Sequence, residues 1–481
     1  MKISKILQKF PSITEIKAIN DPDILWISEN SKTCPSEPWI FIARKGMVHN
    51  GWDYIDEAIK NGAVAVISNH IPDQVPDINI LFCEELHKIL IELIPFLYNY
   101  PEKHIKLLGV TGTNGKTTVT YILSHLLPDS ARIGTTSIII SDEIFPTTNT
   151  TPDLSTIYFY LNKAVKNNQK YFIMEVTSHA IKLNRLGNLE FDALFFTNLG
   201  RDHLDFHKSI EEYENVKLSL FEDSLKYRSK KCKHFINIDD TTGKKIIDIL
   251  IQKGNKAFTI SLNDQNASLY SHNINCFSDH CIFKISDETF SINMPGKYNI
   301  SNSLLAIAYL VQENKSLNLI SKTLKQFSGV PGRMETFSLS KGKVIIDFAH
   351  TPDSLNAVLS SIRETQKISK IFTIFGCGGN RDRGKRPEMG KIAAKYSDFI
   401  ILTDDNPRFE EPQMIIDEII QGFPSSFKAF MIKRPRDAAI KLGISMLKEN
   451  DILLIAGKGH EDYQEIRGER VHFSDKEIVL K

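Results

Sequence analysis

A chain of 481 residues, 42% hydrophobic and 24% charged, is too long for one ordinary core and has the composition of a folded globular protein. Its formal net charge of +1 supplies no electrostatic footprint for nucleic acid or for a membrane surface, so neither is an expected partner. Six cysteines, at 34, 83, 232, 276, 281 and 377, make no CxxC pair and no zinc spacing, which suits reduced thiols better than a disulfide framework. The N-terminus MKISKILQKFPS has no long apolar stretch, and no run approaches about 18 apolar residues. A soluble, cytoplasmic protein is expected.

In chain order, residues 1–104 hold two strand-like runs, Trp39–Ala43 and Ala63–Ser68, around a helical stretch from Tyr54 to Asn61. Tyr98 to Lys106, with Pro101 and flanking charges, reads as a linker. Residues 105–333 open on the apolar run Ile105–Val110 and continue through YFIMEV (171–176) and ALFFTN (193–198), strands that end in polar residues. From 343 the alternation starts again with KVIIDFAH, a helical stretch from Asp353, IFTIF (371–375), DFIILT (398–403) and DILLIAG (451–457). Short strands alternating with helices predict mostly parallel sheets with active residues at strand C-termini. The expected fold is α/β in three domains. A small N-terminal α/β domain (1–104) precedes a central P-loop ATPase-like domain with a parallel or mixed sheet (105–333) and a Rossmann-like C-terminal domain (334–481).

The stretch GVTGTNGKTTVTYIL, 109–123, carries the chemistry of the centre. A strand enters a glycine-bearing loop and a helix leaves it, so backbone N–H groups and a helix N-terminus can face a phosphate while Lys116 supplies charge. The common spacing asks for glycine five positions before Gly115, yet Val110 stands there and the glycines fall at 109, 112 and 115. Glu175 ends the strand YFIMEV, where a Mg²⁺-directed carboxylate sits in nucleotide-binding sheets. RDHLDFH sets His203 and His207 four apart, a zinc-like spacing, but no HExxH accompanies it.

Ser209 with Glu212 predicts a capping box, and Ile210, Tyr213, Leu220 and Phe221 mark an inward stripe that also contains Lys217. That stripe leaves two readings open for Lys217: a snorkelling lysine with its head in water, or a desolvated neutral amine able to add CO₂. In GCGGNRD (376–382), counting GxGxxG from Gly376 puts Arg381 at the last glycine position, which disfavours a dinucleotide. Asn406-Pro407 predicts a turn, from which Arg408 projects a planar fork suited to a carboxylate.

TGTNGKTT, NTTPD (149–153), EVTSHA (175–180), TNLGRDHLDFH (197–207), GRME (332–335), DFAHTPDS (347–354), GCGGNRDRGKRP (376–387), DNPR (405–408) and GKGHEDYQ (457–464) occur in the order of the Mur ligase family, which the chain resembles over all three domains. These are ATP-dependent amide-forming enzymes of peptidoglycan precursor synthesis, and the likeness is to the branch that adds the third residue. The family's loop has the form TGTNGKT, a phosphate loop of its own make.

The resemblance implies ATP contacts from Gly112, Thr113, Asn114, Gly115, Lys116, Thr117 and Thr118, with Asn302, Arg333, Asp347 and His350 on the adenosine side. It implies two Mg²⁺ sites served by Thr117, Glu175, His203 and Lys217, the last carried as a CO₂-derived carbamate, and Lys116, Glu175, His203 and Lys217 as the catalytic set. Ser31, Asn149, Thr150, Thr151, Thr177 and Arg185 would hold UDP-MurNAc-L-Ala-D-Glu. Arg381, Asp405, Asn406, Pro407, Arg408, Gly457 and Glu461 would hold meso-diaminopimelate. In this family DNPR goes with diaminopimelate, while lysine-adding members replace the arginine.

Three departures stand out. Asn30-Ser31-Lys32 replaces the family's Asp-Ser-Arg, which leaves Met47 to His49 without an assigned role. Thr177 replaces a serine and keeps the hydroxyl, and Leu183 replaces a glutamine. No oligomer is implied, so a monomer is expected. A folylpolyglutamate synthetase shares the loop and central domain but lacks an N-terminal domain of this type. A binding module that has lost ligase activity is disfavoured by the joint presence of Lys116, Glu175, His203, Lys217 and Arg408.

Overall fold

Buried strands alternating with helices that bury one face sort the chain into three sheet-centred units. The computed structural model describes residues 1–32, 37–45, 50–147, 149–227, 229–366 and 369–481. Met47 to His49 lie outside the described residues. The first unit is a five-stranded sheet in the order Thr14–Lys17, Asn79–Phe82, Ala63–Ser68, Trp39–Ala43, Trp26–Ser28. Both runs picked from the sequence are strands with the expected bounds.

The second unit is a nine-stranded sheet with Lys106–Thr111 at its heart. This strand pairs in parallel with Tyr171–Glu175 on one side and Ala193–Phe196 on the other. Beyond Ser130–Ile133 the edge turns antiparallel through Ile138–Ile140 and Glu143–Phe145, so the sheet is mixed. A separate meander, His272–Cys276, Cys281–Ile285 and Glu288–Ile292, follows it. The third unit aligns Lys343–Asp347, Ile452–Ala456, Ile371–Phe375, Phe399–Leu402 and Phe430–Ile432 in parallel, with antiparallel Glu335–Ser338 at one edge. The loops that carry polar motifs leave the C-terminal ends of these parallel strands, as such sheets require.

Two expectations need correction. Tyr98 to Lys106 is not a loose linker: Tyr98, Pro101 and Ile105 are buried, and Pro101–Lys103 forms a 3₁₀ turn. Pro101 and its charged neighbours punctuate the chain without detaching it, because the apolar side chains on either side complete a shared core. One continuous buried cluster runs from Ile3 to Leu250 through the first two units, with the Trp26 ring 5.3 Å from that of Phe159. The third unit packs around clusters of its own.

The second correction concerns the helix Ile210–Ser224. Ser209 Oγ accepts from the Glu212 N–H at 3.2 Å, but the Glu212 carboxylate accepts from the Lys208 N–H, so only half of the capping box forms. Ile210 is exposed, since it occupies the first helical position at the rim. The buried stripe is Tyr213, Lys217, Leu220, Phe221 and Ser224.

Candidate active site

The loop after Lys106–Thr111 is fixed by close packing. A Cβ on Gly112 (φ +144°) would lie 1.9 Å from Thr197 Oγ1, and one on Gly115 (φ +87°) 2.4 Å from Asn302 Oδ1. Gly109 is a packing glycine under the Phe191 ring. Thr197 and Asn198, which sequence reasoning quoted but gave no role, tie the loop down. The Thr113 N–H donates to Asn198 O at 2.8 Å, the Asn114 N–H to Asn198 Oδ1 at 3.0 Å, and Thr197 Oγ1 to Asn114 O at 2.6 Å. The helix Lys116–Leu126 then starts with its N-terminus facing the cleft.

Lys116 and Lys217 converge on one atom: each Nζ donates to Gly112 O at 2.9 Å. Lys116 also donates to Thr113 O at 2.8 Å, and burial pulls its pKa down against the opposing charges of Glu175 and Asp202. Lys217 is 1% exposed. Burial first, and the Lys116 charge second, hold its pKa well below the ordinary lysine value, a shift toward the neutral amine. The snorkelling alternative is therefore set aside.

Glu175 is fully buried and accepts three hydrogen bonds: from Thr117 Oγ1 at 3.0 Å, Thr135 N–H at 2.9 Å and Thr135 Oγ1 at 3.0 Å. Thr135 carries no signal in the sequence beyond its hydroxyl. His203 has φ +56° and lines the same cleft. Burial, with Lys116 among the charges adding to it against Asp202, pushes its pKa down to about 3, which leaves the imidazole neutral with a lone pair to offer. Asp202, also missed as a single residue though it sits within the quoted RDHLDFH, faces His203 at 3.4 Å and His350 at 3.7 Å. Its burial is outweighed by the facing imidazoles of His350 and His203 and by the Lys385 charge, which hold it well below the carboxylate range. His207 is buried and bonded to Ser178 Oγ at 2.9 Å, and no group of three His, Cys, Asp or Glu side chains poised for a metal exists among the described residues. Oxygen donors and one neutral imidazole beside a phosphate loop fit a hard Mg²⁺ ion that takes its other ligands from phosphate and water, not zinc.

Thr117, Glu175 and His203 border a cleft of about 730 Å³ whose other end is built by the third unit. Along its wall Thr151 Oγ1 donates to Glu175 O at 2.7 Å, Thr150 Oγ1 lies 3.1 Å from Thr135 Oγ1, and Arg185 Nη1 donates to Thr151 O at 2.9 Å. Thr177 caps the helix Ser178–Lys182, and Asn149 lines the same wall. At the far end Arg408 (φ +52°) donates from Nε to Glu465 at 3.1 Å and from Nη1 to Gly379 O at 2.8 Å. Lys458, buried and without an assigned role in the sequence reading, donates to Asn406 Oδ1 at 3.0 Å and Glu461 at 2.7 Å. Asp405 stays below its usual pKa despite burial, because Lys458 and Arg436 face it. Gly457 and Arg381 line this end too.

Not every candidate lies in that cleft. Asn302, Asp347 and Thr118 line a neighbouring cavity of about 340 Å³, and Arg333 borders both. Asp347 there accepts from the Met334 N–H at 2.7 Å. Gly112 and Lys217 lie behind the cleft wall, and Pro407 shapes a turn without lining it. Ser31 stands apart, donating to Glu57 at 2.5 Å, and Leu183 is exposed outside the cleft. The two halves of the cleft are joined by charge. Arg201 donates to Asp382 at 3.2 Å and to Glu388 at 2.5 Å, its N–H donates to Asp353 at 2.9 Å, and Arg381 donates to Asp205 at 3.0 Å.

Comparison with known proteins bears on this geometry. Residues 110–310 match the Mur ligase middle domain, and residues 332–459 match the Mur ligase glutamate ligase domain. The UDP-N-acetylmuramoyl-L-alanyl-D-glutamate–2,6-diaminopimelate ligase of Fusobacterium nucleatum is 38% identical over 448 residues, covering 92% of this chain and 91% of that protein. The protein of the same name from Clostridium tetani is 36% identical and spans 100% of this chain and 98% of its own length. A solved structure of a ligase of that name superposes with a TM-score of 0.61 at 29% identity, covering 95% of this chain and 94% of that one.

Proposed function

The chain belongs to the Mur ligase family, and from that premise we propose that it is the ATP-dependent ligase that joins meso-2,6-diaminopimelate to UDP-MurNAc-L-Ala-D-Glu in peptidoglycan precursor synthesis. One observation carries the reading: a single cleft presents a phosphate loop at one end and the Asp405–Arg408 turn at the other. A carboxylate of the dipeptide attacks the γ-phosphorus of ATP, the bond to ADP breaks, and an acyl phosphate forms. The amine of diaminopimelate then attacks the acyl carbon and expels phosphate.

Lys116 steadies the negative charge that builds on the transferring phosphoryl oxygens. Thr117, Glu175, His203 and a carbamate on Lys217 would hold Mg²⁺, which supplies further charge neutralisation at the phosphates. The neutral Lys217 Nζ adds to CO₂ and loses a proton, turning a buried amine into an anion. Asn302, Arg333, Asp347 and His350 take the adenosine side. Asn149, Thr150, Thr151, Thr177 and Arg185 hold the muramoyl-dipeptide, and Ser31 the uridine end. Arg408 receives the distal carboxylate of diaminopimelate, with Arg381, Asp405, Asn406, Gly457 and Glu461 around it.

We place domain boundaries after residues 104 and 333 and read the enzyme as a cytoplasmic monomer. Among the described residues, no helix is long and apolar enough to cross a membrane. Full-length likeness to diaminopimelate ligases and the presence of the N-terminal sheet favour this reading over a folylpolyglutamate synthetase. The deciding experiment measures phosphate release from ATP. Release should require the muramoyl-dipeptide and diaminopimelate together, and release with a folate substrate, or with neither partner, would overturn the proposal.

A further inference from the structure

Two cysteines face each other beside the turn that joins the first two strands of the small meander, outside the residues that line the cleft. Cys276 closes its first strand, Cys281 opens the second, and the two are direct partners in register. The Phe277 N–H donates to His280 O at 2.8 Å, so that pair is a hydrogen-bonded one. Alternation along an antiparallel ladder then makes Cys276 and Cys281 a non-hydrogen-bonded pair, whose Cα atoms stand about 4.5 Å apart, within the span a disulfide bridges. Their Sγ atoms are 2.8 Å from each other, with Cys281 donating.

The two sulfurs differ in environment. Cys281 is fully buried, while Cys276 is half-buried between exposed Asn275 and Phe277. The backbone of Gly296, the N-cap of the sixteen-residue helix Lys297–Gln312, lies near both sulfurs, and the Lys297 ammonium, paired with Glu364 at 3.4 Å, adds positive charge. A helix N-terminus and a cation are the surroundings that favour a thiolate. The hydrogen bond from Cys281, followed by the Lys297 charge against burial, draws the Cys276 pKa down. Cys83, Cys232 and Cys377 are pushed the other way by burial.

We propose that Cys276 and Cys281 form a thiol–disulfide exchange site, with Cys276 the attacking sulfur, Cys281 the resolving one, and a low-molecular-weight disulfide the oxidant. The Cys276 thiolate attacks one sulfur of the small disulfide, forming a mixed disulfide and releasing one thiolate. Cys281 loses its proton and attacks Cys276 Sγ, which closes the protein disulfide and releases the second thiolate. Two electrons pass from the protein dithiol to the small disulfide, which leaves as two thiols.

The test treats the reduced, full-length enzyme with glutathione disulfide at neutral pH and follows intact mass and linked peptides. The expected product is lighter by two hydrogen atoms, retains four free thiols of the original six, and yields a peptide joining residues 276 and 281. Cys281→Ser should instead stop at a stable glutathione adduct on Cys276, and Cys276→Ser should react several-fold more slowly, with both variants melting like the parent. Should a variant not fold, brief alkylation of the folded parent decides, because Cys276 must label before Cys83, Cys232 and Cys377. Adducts spread over those three first, or no peptide joining 276 to 281, would overturn the proposal.

Discussion

The phosphate end and the amino-acid end of the cleft are built on different principles. At the phosphate end, seven consecutive residues, 112–118, form a loop whose backbone is pinned by Thr197 and Asn198, and whose lysine rests on its own carbonyls. The amino-acid end is assembled from segments near 378, 406 and 461, held by ion pairs among side chains far apart in sequence, such as Arg408 with Glu465. A backbone cradle recognises the common shape of a phosphate. A side-chain cradle can be rewritten one residue at a time, which is where discrimination between amino acids belongs.

Four experiments would break or sharpen this contrast. Lys116→Ala, at the phosphate end, should abolish phosphate release with the fold intact, a loss of about 10⁴-fold in kcat of the size seen when a charge aimed at a transferring phosphoryl group is removed. Turnover like the parent's would remove the phosphate-loop reading. Lys217→Ala should lose about 10³-fold, as for other groups that stabilise developing charge. Formate or acetate should restore part of the activity by standing in for the carbamate, and full activity without added acid would end that proposal.

The amino-acid end should respond in selectivity. The parent should prefer meso-diaminopimelate over L-lysine in kcat/KM by about 10⁴, because only diaminopimelate brings a second carboxylate to the half-buried Arg408 guanidinium, whereas L-lysine sets an ammonium of like charge beside it. Arg408→Ala should lose most of that preference, mainly by impairing diaminopimelate use, since each charge-assisted hydrogen bond lost is worth about 1.5–3 kcal/mol. Equal use of both amino acids by the parent would refute the assignment of Arg408.

The smallest effect is on acid stability. His203 and His460 each have a pKa pushed down to about 3, His203 by burial with Lys116 among the adding charges, and His460 by burial and then Arg333. Both are therefore neutral in the folded protein while the unfolded chain protonates near pH 6.5. Stability is full above that value and falls as pH drops toward 3, by at most about 1.4 kcal/mol per pH unit for each histidine. Melting temperature should be flat above pH 6.5 and decline below it, and His203→Asn should shallow the decline. An unchanged slope in that variant would mean that His203 is protonated in the fold.

The same contrast explains what could be read from the sequence. Lys116, Thr117 and Glu175 were legible because strand, loop and helix follow one another along the chain, and an apolar strand ending in an acid has a meaning of its own. Residues 376–382 gave a near-match to a dinucleotide loop and Asn406-Pro407 a turn, while the segment near 461 gave no signal of its own, and their grouping became visible through family resemblance and then through the fold. Thr135 and Lys458 gave no usable signal, since a threonine after a strand and a lysine between glycines have many uses. The shared core of the first two units was hidden for a related reason: Pro101 and its charges announce a break in the chain, whereas burial of Tyr98 and Ile105 depends on surfaces distant in sequence.

The charged bridges from Arg201 and Asp205 to the third unit carry a consequence for how the cleft opens. A seam closed by ion pairs uncovers little apolar surface when it parts, so opening should occur with almost no change in heat capacity. Its equilibrium should answer to ionic strength, because exposed pairs are worth about 1 kcal/mol or less each and weaken as the screening length shortens toward about 8 Å in physiological salt. Small-angle scattering across a salt series should therefore find the radius of gyration rising with salt in the free enzyme. Arg201→Ala should bring that rise to lower salt, and a radius indifferent to both would show that something other than charge holds the seam.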